Sequence, residues 1–409
     1  MSDPNLAHGR RHSIGLLLLA EVGAMSLWFV SNAILPELTR DAVISPWTGG
    51  LLSAAVQLGF VIGAIMLAYH GTADLYDPRK VFAAGAIVAA LSNLLLIVTP
   101  PGGIIQILLR GLTGFCLAGV YPVGMKIAVG WTMTHRGLVV GMLVGALTLG
   151  SAAPHGLALI GGSEWRITVG AASLLAFISA GLIVCVRLGP YHATAARFDP
   201  SALRLAWRLP KLRLAYAGYL CHMWELYAFW AWIAAALTAS LTLSGIENPK
   251  QVARLTTFLA IGLGGLLCVF AGILADKIGK AMVAGGTMAI SGFLAIATAI
   301  SFGGSPVLTI TFAFLWGLFV IPDSAQFSAL VADNAPSNRA GSLLTFQTAI
   351  GFLLTAIVVQ AVPILAESIG WPITLALLGI GPIVGAEIMR RLCRSDNGCG
   401  GAQPPLFAP

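Results

Sequence analysis

Residues 255–275, LTTFLAIGLGGLLCVFAGILA, form a run of 21 residues that contains no charged side chain. Folded as an α-helix, such a run is long enough to cross the hydrocarbon layer of a bilayer, which takes about 20 residues. The polar segment DKIGK follows at 276–280, and another apolar run begins at residue 281. The sequence therefore predicts two membrane-spanning helices joined by a short charged loop.

Apolar runs of similar length recur on both sides of this stretch and predict an all-α membrane protein with twelve transmembrane helices. Six runs precede a polar interval and six follow it, so we expect two six-helix pseudo-repeats. The runs are 14–35, 47–69, 80–99, 104–127, 137–159 and 166–187, then 213–239, 254–275, 281–301, 306–331, 340–363 and 371–390. The predicted domains are an N-terminal half at 1–187, a basic linker at 188–212, a C-terminal half at 213–390 and a tail at 391–409.

The composition excludes a soluble protein, because 57% of the 409 residues are hydrophobic and only 10% are charged, against about 25% charged residues in soluble domains. The net charge of +7 lies in short loops between apolar runs, so we expect the lipid bilayer as a partner and not nucleic acid. The cysteines lack metal-ligand spacing, and neither a catalytic constellation nor a phosphate-binding loop is present in the sequence. We therefore predict no enzyme, no metal and no cofactor.

The distribution of Lys and Arg predicts how the helices are oriented, since loops that stay in the cytoplasm retain basic residues. With a cytoplasmic N-terminus, only five of the 23 basic residues fall elsewhere, namely Arg40, Arg110, Arg166, Lys250 and Arg254. We therefore predict a monomer in a bacterial-type inner (plasma) membrane, with both termini cytoplasmic. Within the linker, residues 203–207 are either an amphipathic stretch on the anionic membrane surface or part of a plain charged linker.

Two loops at corresponding positions of the halves carry an acidic residue followed by basic residues. The loop after the eighth helix contains Asp276, Lys277, Gly279 and Lys280, and the loop after the second helix contains Asp74 and Arg79. An acidic side chain at this position can pair with a neighbouring helix and release it when the halves rock. We predict that these residues gate transport.

The segment GILADKIGK at 272–280 resembles a loop signature of the major facilitator superfamily, which reads glycine, three residues, aspartate, basic, any residue, glycine, basic. The first copy departs from it at His70 and Asp77. The arginine–glycine pattern of that superfamily's fourth helix is similar to the residues Arg110, Gly114 and Ala118. The resemblance implies the major facilitator fold, a central cavity between two halves, and secondary transport by alternating access.

A more distant likeness is to the nitrate and nitrite porters of that superfamily. As a family, these porters rely on an arginine in each of the second and eighth helices. This sequence has none at depth in either helix, because Arg254 lies at the outer edge of the eighth. Nitrate is therefore disfavoured, and a larger organic anion or metabolite becomes the leading hypothesis.

Ionisable side chains inside apolar runs are costly unless they face a cavity or a partner, which makes each one a candidate functional residue. They fall on the helices that, by resemblance, line the central cavity, where aromatic residues share their faces at helical spacing. We predict that a solute is bound by Arg110, Trp28, Asn32, Tyr121, His222 and Trp316. Proton coupling is predicted for Glu21, Glu225 and Asp323.

Two histidines lie within apolar runs. His222 and Glu225 are at positions i and i+3 of one helix, so we expect neighbours that form either a proton relay or a packing contact. His155 follows Pro154 and is expected to bond a carbonyl group that the proline frees.

The leading hypothesis is a secondary transporter, coupled to protons by symport or antiport, that moves a small-molecule substrate such as an organic anion or metabolite. The alternative is proton-driven efflux of cationic or amphipathic compounds, which the buried carboxyl groups and many aromatic rings would attract. A membrane receptor or channel is the third class, and the two similar halves favour a transporter over it.

Overall fold

The computed structural model describes residues 4–131, 136–162, 164–191, 199–336 and 339–395, with side chains throughout except at positions 4–8, 73, 74, 136 and 137. Within these ranges the chain is helical and contains no β-strand. The prediction of an all-α fold is confirmed.

Twelve helical spans are long and apolar enough to cross a membrane, as the sequence predicts, and we number them 1 to 12. Their bounds are Gly9–Asp41, Pro46–His70, Pro78–Val98, Ile104–Val129, Leu138–Gly161, Trp165–Val184, Pro210–Leu243, Pro249–Ile278, Lys280–Ser301, Pro306–Asn334, Ala340–Ile369 and Trp371–Ser395. Five of them begin with proline, which lacks the backbone donor that a first helical turn leaves unpaired. Because the number of spans is even, both ends of the described chain lie on one membrane face, here called the termini face; the other is the far face.

The two halves repeat one packing scheme. Span 1 packs against spans 5 and 6, span 2 against span 4, and span 3 against spans 4 and 6. Span 7 packs in the same way against spans 11 and 12, span 8 against span 10, and span 9 against spans 10 and 12. The halves meet along two lines, spans 5 and 8 on one side and spans 2 and 11 on the other. This arrangement leaves spans 1, 4, 7 and 10 around the centre.

Three of these central spans are interrupted. Span 1 consists of the helices Pro4–Met25 and Val30–Asp41, span 4 of Ile104–Leu117 and Tyr121–Val129, and span 10 of Pro306–Phe319 and Ser324–Asn334. Pro322 lies in the interruption of span 10, where its missing donor favours a break. The interruption of span 1, SLWF at 26–29, contains neither glycine nor proline. Contacts from elsewhere in the fold must therefore hold it.

Glycine permits close approach of helices within and between the halves. A Cβ atom at Gly114 in span 4 would collide with the backbone carbonyl of Val56 in span 2. Gly145 of span 5 and Gly265 of span 8 touch across the seam between the halves, since a Cβ added at Gly265 would lie 3.1 Å from the Cα atom of Gly145. Small residues at such contacts let backbones pack directly.

We expect Gly114→Ala to lower the free energy of unfolding in detergent by about 1–3 kcal/mol, because the added methyl group forces spans 2 and 4 apart. Gly170→Ala is the matched control, since a Cβ there meets no atom within 4 Å. That control should be neutral or slightly stabilising, as alanine favours the helix over glycine. Equal effects of the two substitutions in chemical denaturation would contradict the close contact.

Candidate functional site

Aromatic rings from both halves meet at the centre of the molecule. The ring of Trp28 in span 1 lies 5.0 Å from that of Phe60 in span 2, 5.8 Å from Tyr227 in span 7 and 5.5 Å from Phe352 in span 11. The Tyr227 and Phe352 rings are 4.9 Å apart. The interruption at 26–29 directs Trp28 into this cluster. The seam between the halves thus has an aromatic wall, of the kind that commonly lines binding sites for organic ligands.

His222 of span 7 pairs with a residue of span 10. Its Nδ1 atom lies 3.0 Å from Oδ1 of Asp323, and both side chains are buried. The Phe327 and Tyr219 rings flank the imidazole, with centroids 5.5 and 6.4 Å away. The Nδ1 atom approaches Asp323 without the alignment of a hydrogen bond, and the Nε2 atom has no hydrogen-bond partner among the described residues. Asp323 stands in the interruption of span 10, which the helix pattern alone does not reveal.

Glu225, one turn further along span 7, has different partners. Its Oε1 atom accepts a hydrogen bond from the Ser291 hydroxyl at 2.5 Å and another from the Trp316 indole nitrogen at 2.5 Å. His222 and Glu225, which were expected to contact each other, therefore have separate partners. The sequence analysis missed Ser291, a polar residue in a span that carries no charge at depth.

Glu21 is the buried acid of the N-terminal half. Its side chain is fully buried in span 1, and neither carboxyl oxygen has a hydrogen-bond partner among the described residues. The Oε2 atom lies against Gly124 of span 4, where an added Cβ would be 2.5 Å from it. The absence of a side chain at Gly124 leaves room for the carboxyl group. An isolated buried carboxyl group is stable in hydrocarbon only when it is protonated or when a ligand compensates its charge.

Arg110 of span 4 supports the interruption of span 1. Its Nη2 atom donates to the carbonyl groups of Leu27 at 3.0 Å and Trp28 at 2.6 Å, and Nη1 donates to Oδ1 of Asn93 at 3.0 Å. Asn93 in turn donates to Ser173 at 3.0 Å. Three protein acceptors thus surround the guanidinium group, which is fully buried. Its predicted contact with a solute stays a prediction.

Tyr121 and Asn32 are two further predicted solute ligands. Tyr121 is partly exposed and begins the second helix of span 4. Asn32 is buried one turn after Trp28, and its Nδ2 atom has no hydrogen-bond partner among the described residues. Their predicted role in binding remains untested by these contacts. In the described part of the chain, no group of three or more His, Cys, Asp or Glu side chains is placed to hold a metal ion.

At the start of span 3, Arg79 pairs with Asp77 of the preceding loop. The side chain of Asp74 lies outside the described part of the chain. Arg79 donates to Asp77, with Nη2 2.6 Å from Oδ2, and also to the carbonyl group of Val186 in the N-terminal half at 3.2 Å. The hydrogen bond from Arg79 lowers the pKa of Asp77 below its usual value.

The loop between spans 8 and 9 differs from the loop between spans 2 and 3. Gly279 adopts φ +97°, a conformation that side chains strongly disfavour, so the glycine is required there. Lys280 reaches Oδ2 of Asp333 at the end of span 10, 2.5 Å away. Asp276 and Lys277 are exposed and form no ion pair with another described residue. The gating role predicted for both loops stays a prediction.

A buried ion pair joins the two halves near the far face. The sequence pattern does not predict it. Arg254 of span 8 donates to the Glu37 carboxylate of span 1 and, at 2.8 Å, to the carbonyl group of Ala33. Both charged side chains are at least nine-tenths buried. In the sequence they lie at the edges of apolar runs, where charges usually belong to solvated loops.

Comparisons with known proteins agree with this architecture. The sequence profile described as the Major Facilitator Superfamily matches residues 17–359. The chain is similar in structure to a bacterial homologue of the human lysosomal transporter Spinster, solved in an inward-facing and unoccupied conformation, with TM-score 0.73, 13% identity and coverage of 97% of this chain and 98% of that chain. It is also similar to the nucleoside transporter NupG, with TM-score 0.71, 11% identity and coverage of 93% and 99%. A comparison with curated protein sequences gives no match.

We expect Arg110→Met to lower the free energy of unfolding by about 2–6 kcal/mol, because two buried carbonyl groups lose their donor at about 1–3 kcal/mol each. Arg166→Met is the control, since that arginine is 46% exposed and pairs with Glu164 on the surface, where an ion pair contributes less than about 1 kcal/mol. Chemical denaturation in detergent measures both variants. If Arg110→Met unfolds like the wild type, Arg110 does not support the interruption of span 1.

Proposed function

The chain belongs to the major facilitator superfamily, and from this premise we propose that it is a proton-coupled secondary transporter whose buried carboxyl groups exchange protons against an organic solute. The fold supports secondary transport of a small solute by alternating access between two halves. The proton coupling and the class of solute are our proposals. The solutes of these two proteins are not assigned to this chain, because at 11–13% identity the similarity concerns the fold alone.

The observation that carries the proposal is the contact between His222 and Asp323 across spans 7 and 10. The buried carboxyl group of Asp323 can hold a proton or release it, and the two states differ by one unit of charge at its contact with His222. Asp323 lies in an interrupted span, where a change of charge alters backbone contacts as well. Rearrangement of span 10 would then follow protonation, which is the requirement for coupling.

We propose an organic cation or amphipathic compound as the solute, in preference to the organic anion favoured by the sequence. The acids Glu21, Glu225 and Asp323 are buried in spans around the centre, and Glu225 contacts the indole of Trp316. Aromatic faces attract cations. Arg110, the cation that would bind an anion, gives hydrogen bonds to three protein acceptors. A carboxylate that binds either a proton or a cation makes the two compete, and such competition produces antiport.

An organic anion remains the second candidate function, because one observation favours it. The Nε atom of Arg110 is buried and has no hydrogen-bond partner among the described residues. A rotation of span 1 that released the Leu27 and Trp28 carbonyl groups would free the rest of the guanidinium group for an anionic solute. The experiment below separates the two candidates.

We propose that the protein is a monomer in a bacterial-type inner membrane, with the termini face in the cytoplasm. The support is the concentration of Lys and Arg in loops on that face. Antiport against protons that enter from the far face would then export the cation.

Reconstituted vesicles test the coupling. We expect the wild type to accumulate an organic cation from a panel, several-fold above equilibrium, when a pH gradient is imposed. Asp323→Asn should retain downhill exchange of that cation but lose its dependence on the pH gradient, because the residue no longer titrates. Asp333→Asn is the control in the same span, since Asp333 is exposed and pairs with Lys280.

Two results would count against the proposal. Undiminished accumulation by both Asp323→Asn and Glu225→Gln would exclude these carboxyl groups from coupling. Accumulation of an organic anion that Arg110→Lys abolishes, while this variant unfolds like the wild type, would support the second candidate.

A further inference from the structure

A small cavity lies at the seam between the halves, towards the far face. Its volume is about 30 Å³, and residues of spans 1, 5, 7 and 8 enclose it. The polar part of its lining consists of Asn32, His155, Thr238, Lys250 and Arg254. The aromatic ring of Trp232 closes another side. Since spans 1 and 5 belong to one half and spans 7 and 8 to the other, the cavity exists only while the halves touch here.

Two side chains that line this cavity carry nitrogen atoms without partners. The Nδ2 atom of Asn32 is buried and makes no hydrogen bond with a described residue. The ring nitrogens of His155 are buried as well, and the nearest approach to a polar group is to the backbone of Trp230, without the geometry of a full hydrogen bond. The expected bond from His155 to a carbonyl group freed by Pro154 is not formed. Buried donors are normally paired, so donors that face a cavity indicate a ligand or water inside it. Thr238 is already committed, because its hydroxyl donates to Ala234 at 2.7 Å.

The charge around the cavity is positive. Lys250 and Arg254 lie one turn apart on the same face of span 8, close to its N-terminus at Pro249, where the helix dipole also favours anions. Glu37 neutralises one of the two cations through its ion pair with Arg254. The hydrogen bonds from Arg254 to described residues all come from Nη2, which leaves Nε and Nη1 for a ligand.

We propose that this cavity is a binding site for a small anion, either a free inorganic ion of the size of chloride or the carboxylate group of a larger molecule. Donors from Asn32 and His155 and the charge of Arg254 and Lys250 would coordinate it. A volume of about 30 Å³ suffices for an ion or about two water molecules, since one water needs roughly 10–15 Å³. The site is separate from the proposed proton-coupling groups, because the His222–Asp323 pair and Glu225 take no part in its lining.

Binding here would be linked to the conformation of the transporter. Residues of both halves contribute to the site, so the anion binds only the state that is closed at the far face and stabilises that state. It would add to the contact between Glu37 and Arg254, which already ties span 1 to span 8.

Thermal unfolding of the purified full-length protein tests the proposal. Chloride replaces isethionate, a sulfonate that is too large for the cavity and has no carboxylate group, at constant ionic strength and without transported solute. We expect the midpoint temperature to rise by several degrees and to saturate with chloride, and formate to act similarly. Asn32→Leu and Lys250→Gln should each reduce this rise at least several-fold. Arg208→Gln removes an exposed arginine on the termini face and should leave this rise unchanged.

Lys250 is exposed, so Lys250→Gln should fold even if Asn32→Leu does not. Saturable stabilisation by chloride identifies a free ion as the ligand. Stabilisation only by larger carboxylates, lost in Lys250→Gln, identifies a carboxylate group. Chloride, formate and larger carboxylates that act no differently from isethionate would overturn the proposal and leave a water-filled cavity. A chloride effect of equal size in Lys250→Gln and Arg208→Gln would overturn it as well.

Discussion

Arg110 donates hydrogen bonds to the carbonyl groups of Leu27 and Trp28, at the point where the helical hydrogen bonds of span 1 are interrupted. Hydrocarbon offers no donor to an unpaired carbonyl group, so a helix can be interrupted at this depth only if protein supplies one. The interruption in turn directs Trp28 into the aromatic cluster between the halves. A single buried arginine therefore connects the packing of the N-terminal half to the shape of the central seam.

The two repeats use this architecture for different chemistry. In the C-terminal half, spans 7, 9 and 10 hold a histidine and two acids, each with a partner, through His222–Asp323 and the contacts of Glu225 with Ser291 and Trp316. In the N-terminal half, Glu21 stands without a partner among the described residues, against Gly124. Pseudo-symmetry thus extends to the helices but not to their ionisable groups.

Two kinds of contact join the halves along the seam. One is a close glycine contact that lets the helices slide, and the other is a buried ion pair that holds them together. Gly145 and Gly265 place backbone against backbone, so at this point of the seam no side chains interlock between the two helices. The ion pair of Glu37 with Arg254 is a discrete, buried contact that must break for the far face to open. Breaking it would leave two buried charges to be solvated, so opening requires water or a ligand to enter.

The sequence by itself determined the membrane class, the twelve spans and the two halves, because length and hydropathy along a chain measure directly what a bilayer accepts. It also placed the candidate acids at depth. Only the tertiary structure decided their partners: His222 faces Asp323 and not Glu225, Arg110 binds backbone carbonyl groups, and Arg254 meets Glu37. Such partners depend on how each helix is rotated against the others and where it is interrupted, and neither follows from the local pattern of apolar residues.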